Sequence, residues 1–194
     1  MKPLLVVLLL ALPAFAAPAP RSVLKTVADA ASAQTAERVV YDGRYVRIAY
    51  PNGDVPPGTG VCTDVVIRAY RKAGLDLQRL VHEDMKKNFT AYPKNWGRRE
   101  PDSNIDHRRV PNLMIFFDRA KAGRPVTKLA PDYKPGDLVT WDLGGGVTHI
   151  GVVVEDPLGG AKPLIVHNIG RGPKREDVLF DWKITGHYRY DPSG

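Results

Sequence analysis

The chain has 194 residues, of which 43% are hydrophobic, and it carries a formal net charge of +7. A chain of this length and composition can form one domain that buries its own core without metals or disulfides. Its single cysteine excludes an intramolecular disulfide bond. The basic residues are dispersed and no nucleic-acid-binding motif accompanies them, so we expect no nucleic-acid partner. The positive charge is compatible with an anionic partner such as an acidic wall polymer.

The start of the chain has the pattern of an export signal. Lys2 is followed by an uninterrupted apolar run at 4–12, and small residues come next. That run is shorter than the about 20 residues of a membrane span, so we expect no stable membrane anchor. We therefore predict an exported, periplasmic protein. Its predicted parts are a signal peptide at 1–16 (cleaved after about Ala16 to Ala19), a lead segment at 17–38 and one domain at 39–194.

The hydrophobic pattern predicts helices first and strands afterwards. Val61, Val65 and Ala69 recur at helical spacing, and Gly74 stands where a glycine terminates a helix. Later apolar runs are short and separated by turns, which is typical of antiparallel strands. The pattern therefore predicts an α+β fold. In chain order the predicted helical part is a weak helix at 22–36, a strand or two at 39–50, a helix capped by Thr59 or Gly60, a helix at 76–88, a long loop at 89–109 and a helix at 111–123. The predicted strands of the second part are at 137–141, 148–154, 163–167 and 184–190.

Cys62 stands at the start of the clearest predicted helix. The free N–H groups and the dipole at a helix start favour a thiolate, and they can also stabilise an oxyanion. Exported proteins usually keep cysteines in disulfide pairs, so a lone cysteine is either a buried bystander or a reactive thiol. The position of Cys62 favours the reactive thiol.

Two histidines could serve this thiol as a base and as the group that orients the base. His149 opens an apolar strand after a glycine turn, and His167 ends the next strand. Neighbouring antiparallel strands bring the start of one beside the end of the other, so we expect the two rings to be adjacent. Two unrelated strand-end histidines remain the alternative.

Several motifs resemble the NlpC/P60 superfamily of papain-like cysteine peptidases. They are Cys62 at a helix start, GDLV at 136–139, HIGV at 149–152 and IVH at 165–167. The segments GVCTD at 60–64, NIDHRRVPN at 104–112 and ITGHYRY at 184–190 resemble more closely the amidase-like domain of unknown function family 1287. The resemblance implies a papain-like α+β fold, with N-terminal helices packed on a small antiparallel sheet. It also implies a cysteine hydrolase that needs no cofactor.

Carried over residue by residue, the resemblance makes Cys62 the nucleophile, His149 the base and His167 the orienting residue. Two features depart from the common wall-peptidase pattern: the usual Asp-Cys-Ser-Gly is replaced by VCTD at 61–64, and a long insertion carries DHRR at 106–109. Arg binds carboxylates bidentately, so the insertion could bind substrate, whereas ion pairs that merely pin the loop are an equal alternative. The residues assigned to the oxyanion or substrate pocket are Tyr50, which stands twelve positions before Cys62, with Asp64, Asp106, His107 and Arg109.

The favoured function is cleavage of amide bonds in peptidoglycan stem peptides by a Cys-His-His triad. Acyl transfer or hydrolysis on lipid or protein substrates is the first alternative, because a fold does not determine a function. A non-catalytic wall-binding module is the second. A zinc site formed by the cysteine and two histidines is the third, but no His-Glu-x-x-His helix or paired-cysteine spacing favours it, so we predict no metal.

Overall fold

The computed structural model describes residues 22–192, so the predicted signal peptide lies outside the described residues. The described chain is α+β, as predicted: helices pack on a five-stranded antiparallel sheet with the strand order β6-β5-β4-β3-β7. A short parallel pair, β1 with β2, lies apart from it. The helices are α1 (Val23–Ala33), α2 (Cys62–Lys72), α3 (Leu77–Asn88) and α4 (Val110–Arg119). The strands are β1 (Val40–Tyr41), β2 (Thr59–Gly60), β3 (Leu138–Asp142), β4 (Thr148–Val154), β5 (Leu164–His167), β6 (Lys174–Glu176) and β7 (Lys183–Tyr188).

Local sequence signals account for most helix ends. Ser22 Oγ accepts the Lys25 N–H at the start of α1, and Asp76 caps α3 in the same way. Pro111 lies in the first turn of α4, where its missing N–H costs no helical hydrogen bond. Gly74 follows α2 with φ +81°, a conformation that favours glycine.

The predicted cap of α2 at Thr59 or Gly60 is wrong. Val61 is the cap residue, and its side chain has no oxygen to accept a helical N–H. Asp64 reaches back instead, and its Oδ2 accepts the Val61 N–H at 2.7 Å. The first turn of α2 is therefore closed by a residue inside the helix.

The strand predictions hold at 137–141, 148–154, 163–167 and 184–190, and they fail at 39–50 and at β6. The predicted strand at 39–50 is reduced to Val40–Tyr41, since much of this segment is held by side chains: the Ile48 N–H, for example, donates to Asn104 Oδ1 at 3.0 Å. Strand β6 was not predicted, because the sequence Lys-Arg-Glu has no hydrophobic alternation. It forms because the edge of β5 offers backbone partners.

The helices bury their apolar faces against one face of the sheet. Tyr70 of α2 and Phe117 of α4 are fully buried against Leu138 and Ile150 of the strands. Val27 of α1 is also fully buried in this cluster, so the described part of the predicted lead segment packs into the same core. No helix within residues 22–192 has the length and apolar character needed to cross a bilayer.

Candidate active site

Cys62 is the first residue of α2. The start of α2 makes hydrogen bonds to the residues that follow the two predicted catalytic histidines. The Cys62 sulfur faces the backbone N–H of Ile150, the residue after His149 in β4. Asn168, the residue after His167, donates its Nδ2 to Gly60 O at 3.3 Å. These two contacts place the start of α2 at the end of the sheet where the two histidines lie.

The two histidines form a direct hydrogen-bonded pair, as predicted from their strand positions. His149 Nε2 lies 2.8 Å from His167 Nδ1, and both side chains are almost completely buried. Gly151 permits this approach, because a Cβ there would lie 2.6 Å from Ile165 Cγ2 and 3.1 Å from His167 Cβ. The reading of two unrelated strand-end histidines is therefore wrong.

Trp182 and Glu176 lie beside the histidine pair. The Trp182 ring meets both imidazoles edge-on, with centroids 6.2 Å from His149 and 6.1 Å from His167. On the side away from His149, His167 Nε2 lies 2.9 Å from Glu176 Oε2. Glu176 was absent from the predicted site residues, because β6 has no hydrophobic alternation.

Burial is the main influence on the pKa values of Cys62 and His149. Burial, together with the Asp64 carboxylate, raises the pKa of the Cys62 thiol to about 11, although nearby backbone N–H groups act in the opposite direction. Burial, and the adjacent His167, lower the pKa of His149 to about 3. At neutral pH, Cys62 is therefore a thiol and His149 is a neutral imidazole. A helix start alone would favour the thiolate, but desolvation raises the pKa of Cys62 more than the backbone N–H groups lower it.

Tyr41, which was absent from the predicted site residues, lies within electrostatic range of Cys62, whereas Tyr50 packs on α3. Tyr50 packs edge-on against His82 of α3, with ring centroids 5.1 Å apart, and its pKa is raised by slight burial and then by Glu83 and Asp76. The pKa of Tyr41 is raised by burial and then by Cys62 and Asp64. The ring contact of Tyr50 is thus with α3, and spacing along the chain does not show that the β1–β2 pair brings Tyr41 near the cysteine.

Asp64 makes buried internal contacts at the start of α2. Arg108 binds it bidentately, with Nε 2.9 Å from Oδ1 and Nη2 2.9 Å from Oδ2, and both side chains are buried. Oδ2 also accepts the Val61 N–H, so both carboxylate oxygens are engaged. Arg108 O accepts the Thr63 hydroxyl at 3.1 Å, which attaches the insertion loop to the first turn of α2. Arg108 was absent from the predicted site residues.

The other predicted pocket residues of the insertion also make internal contacts. Asp106 is buried, accepts the Asp102 N–H, and pairs with Arg109 at 3.3 Å. The Arg109 guanidinium lies 4.0 Å from the centroid of the Trp96 ring. Burial, with help from nearby arginines, lowers the pKa of His107 to about 3, so that side chain stays neutral. The loop-pinning alternative accounts for these contacts, and none of them points to a substrate.

A small cleft opens beside His167. Its volume is about 270 Å³, and its lining residues are His167, Ile169, Arg171, Gly172, Lys174 and Glu176. Within residues 22–192, no group of three or more His, Cys, Asp or Glu side chains is arranged to hold a metal ion. The zinc alternative therefore finds no support among the described side chains.

A helix-start cysteine beside two hydrogen-bonded histidines is the constellation that nucleophilic catalysis uses. The chain belongs to the family described as Domain of unknown function (DUF1287), whose model matches residues 28–190. This confirms the family predicted from the sequence motifs. The matched region begins inside α1, upstream of the domain boundary predicted at residue 39.

A relative and two solved structures show how far the similarity extends. "Uncharacterized protein YijF" of Escherichia coli (strain K12) is 54% identical over 164 residues, which cover 84% of this chain and 80% of that protein. NlpC1 and NlpC2 from Trichomonas vaginalis are 16% and 15% identical, with TM-scores of 0.47 and 0.49. The matches cover 88% and 90% of this chain but only 45% and 48% of theirs, so this chain spans under half the length of either structure.

Proposed function

We propose that the protein is an exported cysteine hydrolase that cleaves an amide bond in peptidoglycan stem peptides, using Cys62, His149 and His167. The observation that carries the proposal is the 2.8 Å hydrogen bond between His149 and His167, beside a cysteine at the start of a helix. A nucleophile, a base and a group that orients the base are the three parts that acyl transfer requires.

In the proposed reaction, His149 removes the proton from Cys62 as the sulfur attacks the substrate carbonyl carbon. The resulting oxyanion is stabilised by N–H groups at the start of α2, and the tetrahedral intermediate collapses as protonated His149 gives its proton to the leaving amine. His149 then deprotonates a water molecule, which cleaves the thioester and regenerates the thiol. His167 holds the His149 ring in place throughout.

Charge supports an anionic substrate such as a stem peptide with free carboxylates. The net charge is +7, and the cleft beside His167 is bordered by Arg171 and Lys174, which are both exposed. Positive groups at a cleft attract anionic ligands and increase the rate of encounter. Export, which the apolar start of the chain predicts, would place the enzyme where peptidoglycan is found.

A second candidate, acyl transfer on lipid or protein substrates, is favoured by the apolar residues near the same site. Val147, which precedes β4, is 56% exposed, and Ile169, which follows β5, is 46% exposed. Exposed apolar groups beside a reactive site can bind an acyl chain as readily as a peptide side chain. Both candidates use the same three residues, and they differ in the substrate alone.

One digestion experiment tests the proposal. Purified peptidoglycan is incubated with the wild type and with Cys62→Ala, each with and without a chelator, and released fragments are identified by mass spectrometry. We expect the wild type to release stem-peptide fragments regardless of chelator, and Cys62→Ala to release none. Full activity of Cys62→Ala would exclude the thiol mechanism, whereas loss of wild-type activity with chelator would indicate a metal enzyme. Turnover of acyl esters without any wall fragment would favour the second candidate.

Tyr41→Phe should lower kcat/KM while leaving stability unchanged. The Tyr41 ring is 45% exposed near Cys62, so its hydroxyl can hydrogen-bond to a bound substrate. Loss of one such bond corresponds to about a tenfold reduction. Tyr50→Phe is the matched control, because Tyr50 is 44% exposed but lies beside His82. Equal effects of the two substitutions on kcat/KM would contradict the placement of Tyr41 at the substrate.

A further inference from the structure

We propose that Glu176 is a positioning residue that fixes the tautomers of the histidine pair and thereby makes His149 Nδ1 the proton acceptor for Cys62. The inference rests on the proposed function, because it assigns Glu176 a role in the same proton transfer. Glu176 comes from β6, a three-residue edge strand outside every motif that the sequence revealed.

The register of β5 and β6 places Glu176 on the same face of the sheet as His167. Ile165 is paired with Glu176 and His167 with Lys174, and side chains of directly paired residues share a face. Glu176 is therefore the diagonal neighbour of His167, and its Oε2 lies 2.9 Å from His167 Nε2. The contact is direct and is made at the nitrogen that His149 does not use.

The chemistry of each partner then determines the position of every ring hydrogen. An ionised carboxylate only accepts hydrogen bonds, so His167 Nε2 carries a hydrogen. In neutral His167 the other nitrogen, Nδ1, is then an acceptor, and the hydrogen in the 2.8 Å bond must come from His149 Nε2. Neutral His149 consequently has a bare Nδ1, which is the state that a general base requires. Without Glu176, His167 can adopt the reverse tautomer, which would put the hydrogen of His149 on Nδ1.

The carboxylate also stabilises the charge that the reaction creates. Burial lowers the pKa of His167, and the hydrogen bond and charge of Glu176 act in the opposite direction. Glu176 Oε2, at 2.9 Å from His167 Nε2, is placed to balance an imidazolium in the pair. The titratable or charged groups near the pair are Cys62 from α2, Lys174 and Glu176 from β6, and Arg171 from the loop between β5 and β6. Asp64 and Tyr41 interact with Cys62.

A surface ion pair without a role in the site is the competing interpretation. The Glu176 side chain is 40% exposed, and exposed ion pairs contribute little to stability. The same exposure means that Glu176 can be replaced without loss of the fold. The two interpretations differ in what they predict for the reactivity of Cys62, which can be measured without any substrate.

The test measures the alkylation rate of Cys62 by iodoacetamide from pH 5 to pH 10 in the full chain, comparing the wild type with Glu176→Gln, Glu176→Ala and His149→Ala. Asp177→Asn is the matched control: it removes one negative charge at the next position, where Asp177 faces Lys162 at 3.6 Å. Removing a carboxylate from a histidine lowers the histidine pKa, so proton transfer from the thiol becomes less favourable. For both Glu176 variants we expect about a tenfold lower rate at pH 7, and a midpoint raised by about one pH unit. Asp177→Asn should match the wild type.

Nitrogen NMR of the imidazole rings gives a second readout that does not depend on thiol access. We expect hydrogens on Nε2 of both histidines in the wild type and in Glu176→Gln, whose amide oxygen still accepts a hydrogen bond. In Glu176→Ala we expect a mixture of tautomers. Unchanged alkylation and unchanged tautomers in Glu176→Ala would overturn the proposal.

The same measurements separate this inference from the proposed function. If the wild type releases no wall fragments but the Glu176 variants show the expected shifts, the substrate assignment fails and the role of Glu176 stands. If His149→Ala alkylates like the wild type, His149 is not the base for Cys62, and both proposals fail together.

Discussion

His149→Ala should reduce kcat/KM by about 10⁴-fold or more, because it removes the base that takes the proton from a thiol whose pKa burial raises to about 11. His167→Ala should cost less, about 10²- to 10³-fold, since His167 orients the base without touching the substrate. The measurement is steady-state hydrolysis of a defined stem peptide by each purified variant. A larger loss in His167→Ala than in His149→Ala would reverse the two assigned roles.

The control for these substitutions is His82→Ala, which removes a histidine of α3 that packs against Tyr50. It should retain wild-type kcat/KM. Because both site histidines are buried, thermal unfolding of each variant must be measured alongside activity. An activity loss that simply follows the melting temperature across all three variants would contradict a catalytic role.

Asp64→Ala should lower the free energy of unfolding by about 3 to 5 kcal/mol, because it leaves the buried Arg108 guanidinium without its partner. The side chains of Arg108 and Asp64 are 2% and 3% exposed, so water cannot replace the lost carboxylate. Urea denaturation measures the effect. If Asp64 bound substrate instead, the substitution would change KM and leave stability nearly unaffected.

A double variant tests whether the loss of stability comes from the unpaired Arg108 guanidinium, and a surface variant serves as the control. The double substitution Asp64→Leu with Arg108→Met removes both charges, and it should recover much of the stability, as expected for a buried pair replaced by apolar side chains. Glu83→Gln breaks the exposed Arg79–Glu83 pair and should cost less than about 1 kcal/mol. A double variant as unstable as Asp64→Ala would mean that the carboxylate acts through the cap of α2 and not through Arg108.

The sequence predicted the parts of the site that depend on local pattern. Helical periodicity and Gly74 located the helix that Cys62 begins, and short apolar runs located the strands that carry His149 and His167. Strand pairing then followed from the shortness of the connection, so the adjacency of the two histidines was also predictable. These features depend on residues close together in the chain, where propensity and periodicity are informative.

Other parts depended on contacts between distant segments. The spacing from Cys62 indicated Tyr50 and not Tyr41. Spacing cannot show which tyrosine lies on the two-residue parallel strand pair beside the start of α2. The predicted site residues included the neighbours of Arg108 but not Arg108 itself. Consecutive residues of a 3₁₀ turn point in different directions, and only packing determines which of them binds Asp64.

By itself, the sequence determined the family, the α+β class and the three residues proposed for catalysis. The tertiary structure alone decided how the site is held and protonated: Arg108 bound to Asp64, Glu176 bound to His167, and a cysteine buried enough to remain a thiol. The physical reason is that a pKa and a side-chain partner depend on burial and on groups brought together by folding, which no local pattern encodes.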